Sequence, residues 1–277
     1  MITQELQRTR EAWDRIAPGY DEFVTPSHMW VGSQGLRRAD LRPGMRFLDV
    51  AAGSGALSIP AARLGARVLA TDLSRAMLER LEARARAEGL ELETRVLDGH
   101  ALELDDDTFD VSGSQFGVML LPDMPRGVSE LARVTRPGGR VLMTVLGAPE
   151  RVEFFAFFVG AIQAAVRGFT GPPMDPPPLP FQLQDPRRLR DELAAAGLND
   201  IRVETITQRH QFRSGQQLWD WLVNSNPIAG EILAELDLTE EQTTSVQEAL
   251  DGMVRERSGG SGPAVLTNPV NIGIGTK

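Results

Sequence analysis

Between Met45 and Leu146, short apolar runs alternate with amphipathic stretches at regular intervals. Met45–Val50, Arg67–Thr71, Leu92–Leu97, Thr108–Gln115 and Arg140–Leu146 have the length and content of strands. The stretches between them carry helical periodicity over 56–64, over 75–88 behind a Ser74 cap, and over 124–135. The last of these runs into Arg136-Pro137-Gly138-Gly139, a stop-and-turn signal. Strands and helices in this alternation predict right-handed βαβ units and a mostly parallel sheet, so the fold class is α/β.

The flanks have a different character. Residues 4–16 read as a helix, Pro18-Gly19-Tyr20 as a turn, and 21–41 as short helices before the Arg42-Pro43-Gly44 turn. After Gly147, Arg151–Arg167 is a helical stretch rich in phenylalanine (Phe154, Phe155, Phe157, Phe158). Gly171–Pro180 holds six prolines and must be an extended loop. A helix is expected over 186–196, a strand over 200–212, two or three helices within 215–256, a flexible loop over 258–262 and a final strand over 264–275. This divides the chain into N-terminal lid helices (1–41), a ligand-binding core (42–147) and a C-terminal part (148–277). The last completes the sheet and carries two helical insertions, 148–183 and 214–258, expected to join the first segment as a lid.

Composition narrows the chemistry. The 277 residues carry a formal charge of −9, and 42% are hydrophobic. So acidic a chain lacks the electrostatic footprint of a nucleic-acid binder. There is no cysteine, which excludes disulfides, thiolate metal sites, iron–sulfur clusters and a thiol nucleophile. Three histidines far apart in sequence (His28, His100, His210) make a resident metal unexpected. No apolar run of membrane-spanning length occurs, and the N-terminal residues lack the pattern of a signal peptide, so the expected address is the cytoplasm.

The informative stretch is FLDVAAGSGALSI, Phe47–Ile59. A strand ends in a carboxylate, Asp49, and a turn of small residues follows (Ala51, Ala52, Gly53, Ser54, Gly55) before a helix begins. In an open parallel sheet, ligands bind beyond the carboxyl ends of the strands beside this first turn. Two ligand classes suit such a turn. A dinucleotide would seat its pyrophosphate on the helix end, but the G-x-G-x-x-G fingerprint is incomplete here, with Ser58 in the last place. S-adenosylmethionine carries an ammonium and a sulfonium and no phosphate. Asp49 would repel a pyrophosphate and attract the ammonium, which favours the second.

Two further acids follow successive strands. Asp72 ends VLATD and is placed to accept both hydroxyls of a ribose, with Leu73 beside it. Asp98 opens DGHA, where it can meet an adenine amino group while Gly99, His100 and Ala101 supply backbone contacts. One such acid alone would read as a cap or turn residue; three after three strands make a nucleoside site.

With these motifs, the chain resembles the class I S-adenosylmethionine-dependent methyltransferases, and is similar to the small-molecule enzymes related to ubiquinone and menaquinone biosynthesis. LDVAAGSG resembles the family's first motif, with Ala51 where many members have Gly. The resemblance covers about residues 10–147 and implies a Rossmann-like seven-stranded sheet with its last strand antiparallel, helices on both faces, and S-adenosylmethionine as cofactor. It places Tyr20, within WDRIAPGYD, over the methionyl part. It also puts Gln115 and Phe116, just past the fourth strand, where the sulfonium lies.

Methyl transfer is an in-line displacement with a neutral leaving group, so proximity and water exclusion carry much of the rate. A base is needed only for a weakly acidic acceptor. His100 is the candidate nearest the expected site. The aromatic residues of the flanks (Trp30, Phe154, Phe155, Phe158, Phe169, Trp219, Trp221) read as core or as the wall of an acceptor pocket. A small apolar or aromatic molecule, such as a lipid quinone, polyketide or other secondary metabolite, is the expected partner, with O-methylation ahead of C- or N-methylation. The competing readings are a nicotinamide-dependent oxidoreductase and a protein that binds S-adenosylmethionine without transferring the methyl group.

Overall fold

The computed structural model describes residues 4–277. Two helices, α1 (Gln4–Gly19) and α2 (Thr25–Arg38), precede the sheet and are joined by a π-helical turn at Tyr20–Val24. The sequence predicts a break at Pro18-Gly19-Tyr20; the chain instead stays helical through it. Proline lacks an N–H and its ring crowds the carbonyl four residues back. The widened turn that follows absorbs this disturbance, a device common beside functional sites. Gly19 is required by close packing: a Cβ there would sit 2.2 Å from the Asn224 carbonyl oxygen.

The alternating region runs β1 (Arg46–Val50), α3 (Ser58–Arg63), β2 (Arg67–Asp72), α4 (Arg75–Ala87), β3 (Glu93–Val96), β4 (Phe109–Gln115), α5 (Met124–Val134) and β5 (Thr135–Leu146). It continues through α6 (Glu153–Ala165), α7 (Pro186–Ala195), β6 (Asn199–Phe212), α8 (Gly215–Ser225), α9 (Pro227–Leu236), α10 (Glu240–Ser258) and β7 (Ala264–Thr276). All seven strands form one sheet in the order β3-β2-β1-β4-β5-β7-β6. The first five are parallel, and β7 runs antiparallel between β5 and β6. This is the expected Rossmann-like architecture. Strand order reverses at β1, between β2 and β4, so a crevice opens at the tip of β1.

A second local expectation fails in detail. Arg136–Gly139 is not a free turn but the irregular start of β5, where register against β4 shifts between Phe109 and Val111. Gly138 takes a left-handed φ of 75° and donates its N–H to the Lys277 carbonyl at 2.8 Å. Pairing with the last residues thus converts a stop signal into a bulge.

Burial separates two principal cores. Phe47, Leu48, Val111, Leu131, Val141 and Leu142 pack the sheet against its helices. Phe154 and Phe158 of α6, Trp219 and Trp221 of α8, and Leu250 of α10 form a second core with Phe212 and Leu266. The aromatic residues of the two C-terminal insertions are therefore mainly core. Trp30 departs from that group and is 48% exposed.

Candidate active site

The first turn is built from left-handed backbone. Ala51, Gly53 and Gly55 have φ of 55°, 54° and 99°. At Gly55 no side chain fits, since a Cβ would lie 2.3 Å from Leu81 Cδ1. At Gly53 the space above the backbone is bounded by Tyr20, whose ring would be 3.7 Å from a Cβ. Tyr20 therefore overhangs this turn, held edge-on by Trp13 and His28. Burial and the Asp72 carboxylate keep its phenol protonated well above the ordinary tyrosine range.

The three strand-end acids occupy distinct settings. Asp49 is 1% exposed; Ser58 donates to its Oδ2 at 2.6 Å, and Oδ1 has no partner among the described residues. Burial pushes Asp49 up to about 7, against the opposing pull of the Ser58 hydroxyl. Asp72 accepts the N–H of Gly53 and of Ser74, each at 2.8 Å. Burial nevertheless raises it to about 6. Asp98 ties its own turn, accepting from the His100 N–H at 2.9 Å and lying 2.7 Å from His100 Nδ1. Ala101 N–H closes that turn onto the Asp98 carbonyl, and a Cβ on Gly99 would touch Leu121 and Val50 at 3.3 Å. His100 is thus held beside Asp98, on the loop after β3.

The N-terminal helices cover this crevice through contacts the sequence did not announce. Asp14 accepts the Ser74 hydroxyl at 2.5 Å, and Arg84 pairs with Asp21. Thr25 and the buried Ser54 share a hydrogen bond between their hydroxyls. Gln115 Nε2 donates to the His28 carbonyl at 3.1 Å, and the Phe116 ring centroid is 4.8 Å from that of His28. Phe116 also takes a left-handed φ of 56°, a conformation that costs a bulky residue about 1–3 kcal/mol and persists only where surroundings impose it. His28 and His210, 182 positions apart in numbering, come within 6.1 Å between centroids. Of the residues missed by sequence reasoning, only Ser58 left a signal: it is the serine that spoils the dinucleotide fingerprint, and its hydroxyl is committed to Asp49.

S-adenosylmethionine fits these residues. An uncompensated carboxylate oxygen beside a turn of left-handed backbone suits a cationic ammonium, and a second raised acid suits two donating hydroxyls. Nothing cationic stands in the turn to meet a pyrophosphate.

Comparison with known proteins agrees with this geometry. Residues 48–143 match a family model described as a methyltransferase domain. The chain is 34% identical over 182 residues to a demethylmenaquinone methyltransferase of Streptomyces avermitilis, covering 62% of this chain and 76% of that one. It is 48% identical over 103 residues to an uncharacterized protein of Mycobacterium tuberculosis, covering 37% of this chain and 38% of the relative's length, so the match to that relative is well under half of it. Among solved structures, the phosphoethanolamine N-methyltransferase 2 of Haemonchus contortus, in complex with phosphomonomethylethanolamine and S-adenosylhomocysteine, shares the fold. Its TM-score is 0.53 at 20% identity, over 89% of this chain and 52% of that one. The chain belongs to the class I S-adenosylmethionine-dependent methyltransferases. No helix among the described residues is long and apolar enough to cross a membrane.

Proposed function

We propose that this chain transfers a methyl group from S-adenosylmethionine to a small, largely apolar or aromatic acceptor, at oxygen in preference to carbon or nitrogen. The observation that carries the reading is Asp49: a buried carboxyl with one free oxygen, raised to about 7, beside the left-handed turn at Gly53. In this reading Asp49 meets the ammonium, and Ala51, Gly53, Ser54 and Gly55 let the backbone approach the methionyl group. Asp72 with Leu73 takes the ribose, and Asp98, Gly99, His100 and Ala101 take the adenine. Tyr20, Gln115 and Phe116 border the sulfonium.

When bound, the cofactor supplies a methyl carbon whose bond to sulfur breaks with the electron pair left on sulfur, as an acceptor lone pair forms the new bond. The chain's own task is to orient the acceptor and exclude water. The second core, with residues up to 41, 148–183 and 214–258 around it, serves as the lid that does so. The acceptor is read as neutral, because the chain carries a net charge of −9 and, among the described residues, the ring contacts on the aromatic side of the crevice include no Lys or Arg.

Titration calorimetry tests the donor. Saturable S-adenosylmethionine binding with no nicotinamide dinucleotide binding is expected; the reverse result would make the chain an oxidoreductase. Mass spectrometry of hydroxylated acceptors should then show a gain of about 14 daltons, the mass of a methyl replacing a hydrogen. Binding without any such gain across a broad panel would leave only a cofactor-binding protein.

A further inference from the structure

Six buried side-chain atoms have no hydrogen-bond partner among the described residues: Asp49 Oδ1, Gln115 Oε1, Thr144 Oγ1, Asn268 Nδ2, His210 Nε2 and His28 Nδ1. Strand register shows that they belong together. Paired residues on adjacent strands share a face, as do alternate residues along one strand. Asp49 pairs with Gly113, Gly113 with Leu142, and Gln115 with Thr144. Thr144 pairs with Ile272, and two steps along β7 from Ile272 is Val270, then Asn268, which pairs with Gln208; His210 is the next residue on that face of β6. All five sheet residues therefore face one way. Helix α2 lies on that face: Gly32 approaches Gln115, Gly35 approaches Leu142, and Gln208 Nε2 reaches the Ser27 carbonyl at 3.3 Å. His28, the sixth, is on α2 and looks back at His210.

The chemistry of this row selects its ligand. Asp49 is its only acid and is engaged by Ser58; no Lys or Arg belongs to it. Both imidazoles are neutral at pH 7, because burial lowers His28 to about 3, with help from His210, and lowers His210 to about 4. The titratable groups in ring contact with the pair, among the described residues, are each other and Tyr20. A carboxylate would find no cation there, and away from Asp49 an ammonium would find no anion. A neutral imidazole offers one donor and one acceptor nitrogen, which suits a hydroxyl. The surroundings are flat rings: Phe116 stands 4.8 Å from His28, and Trp221, Phe212 and Phe154 stand 5.5, 6.2 and 6.4 Å from His210.

We propose that His28 and His210 form the acceptor-hydroxyl subsite, and that its ligand is a neutral hydroxylated aromatic ring. The assignment deepens the methyl-transfer reading and rests on it. The two ring centroids are 6.1 Å apart, and each ring keeps one unpartnered nitrogen, His28 Nδ1 and His210 Nε2, to offer a hydroxyl. As that oxygen reacts, its O–H bond breaks, the electron pair stays on oxygen, and the proton passes to an imidazole, which becomes imidazolium. His100, bound to Asp98 in its own turn, has no part in this step. The subsite is closed here by α2. Ligand access needs the Gln115–His28, Gln208–Ser27 and Trp221–Phe23 hydrogen bonds, of 3.1, 3.3 and 3.1 Å, to open.

The test is a titration of the full chain with 2-naphthol, with and without S-adenosylhomocysteine, followed by imidazole nitrogen resonances. His28 and His210 signals should move while His100 stays. His28→Ala and His210→Ala should each weaken 2-naphthol binding about tenfold or more, the scale of a lost buried hydrogen bond. For His210→Ala, S-adenosylhomocysteine affinity should change less than about twofold, because none of the ring contacts of His210 is assigned to the cofactor. The anionic 2-naphthoate and the cationic 2-naphthylmethylammonium should bind more weakly. Unmoved histidine signals, no 2-naphthol binding, or a preference for either charged analogue overturns the subsite. These readouts come from the unmodified chain, so a variant that fails to fold does not decide the matter. Failure to bind S-adenosylhomocysteine overturns the methyl-transfer reading instead, and the titration without it still judges the histidine pair.

Discussion

The two halves of the sheet treat their buried polar groups differently. On the β1–β2–β3 side, acids are spent on backbone: Asp72 holds Gly53 and Ser74, and Asp98 holds His100. Among the described residues, Asp49 Oδ1 is the one buried side-chain oxygen there without a partner. From β4 across to β6, under α2, Gln115, Thr144, Asn268, His210 and His28 each leave an atom unpartnered. Leaving one such group unsatisfied costs about 1–3 kcal/mol. The first half is a preformed scaffold that a ligand completes at one point. The second is held short of satisfaction along its length, as the proposed acceptor subsite requires.

Substitutions can sharpen that contrast, beginning with the scaffold. Gly55→Val should be the most damaging, because a left-handed φ and a 2.3 Å clash with Leu81 both stand against it. A loss of about 3–5 kcal/mol in denaturant unfolding is expected, close to loss of the fold. Survival with normal stability would mean the turn is not as described.

Asp72→Asn should weaken S-adenosylmethionine about tenfold to a hundredfold by calorimetry, since charge-assisted hydrogen bonds become neutral ones. An unchanged dissociation constant would remove Asp72 from the cofactor site.

Asp49→Asn has a signed pH dependence. The folded pKa of about 7 lies above the ordinary carboxylate value of 3.8, so the ionised acid destabilises the cofactor-free protein once pH exceeds the folded value. That relative stability is full below the unfolded pKa and is lost as pH rises through 7. The substitution should therefore stabilise the free protein at pH 8, by up to a few kcal/mol, on the order of the shift at about 1.4 kcal/mol per unit. The gain should shrink towards pH 5, while cofactor affinity falls at every pH. Equal melting temperatures for the two proteins at pH 8 would contradict the buried setting of Asp49.

The smallest effect is expected in the lid. Thr239 caps α10, accepting the Gln242 N–H, with the Gln242 side chain returning the bond. Thr239→Ala should cost about 1 kcal/mol and leave cofactor binding intact. A drop in cofactor affinity would show that the second core supports the cradle, too.

The same divide governs how much was legible in the sequence. The cradle is local: Asp49, Gly53 and Gly55 fall within seven residues, and Asp72 and Asp98 each end the next repeat of one pattern. Periodicity and turn chemistry therefore located it. The matched family model also covers only residues 48–143. The other side is assembled from distance. His28, Gln115, Asn268 and His210 lie on four different elements, and only the insertion of β7 between β5 and β6 aligns them. No local signal marks a histidine that packs against another 182 positions away. Pro18 misled for the opposite reason: the chain stays helical through this strong local breaker, with the π-helical turn following it and the neighbouring Gly19 packed against Asn224.

The π-helical turn has a kinetic corollary. Tyr20 and His28 ride on one unbroken helical run from Gln4 to Arg38, the first above Gly53 and the second against His210. With donor and acceptor seated as proposed, swinging that rod outwards would uncover both places at once through a single door. Their release would then be coupled, and slowing the door would slow the departure of both products together.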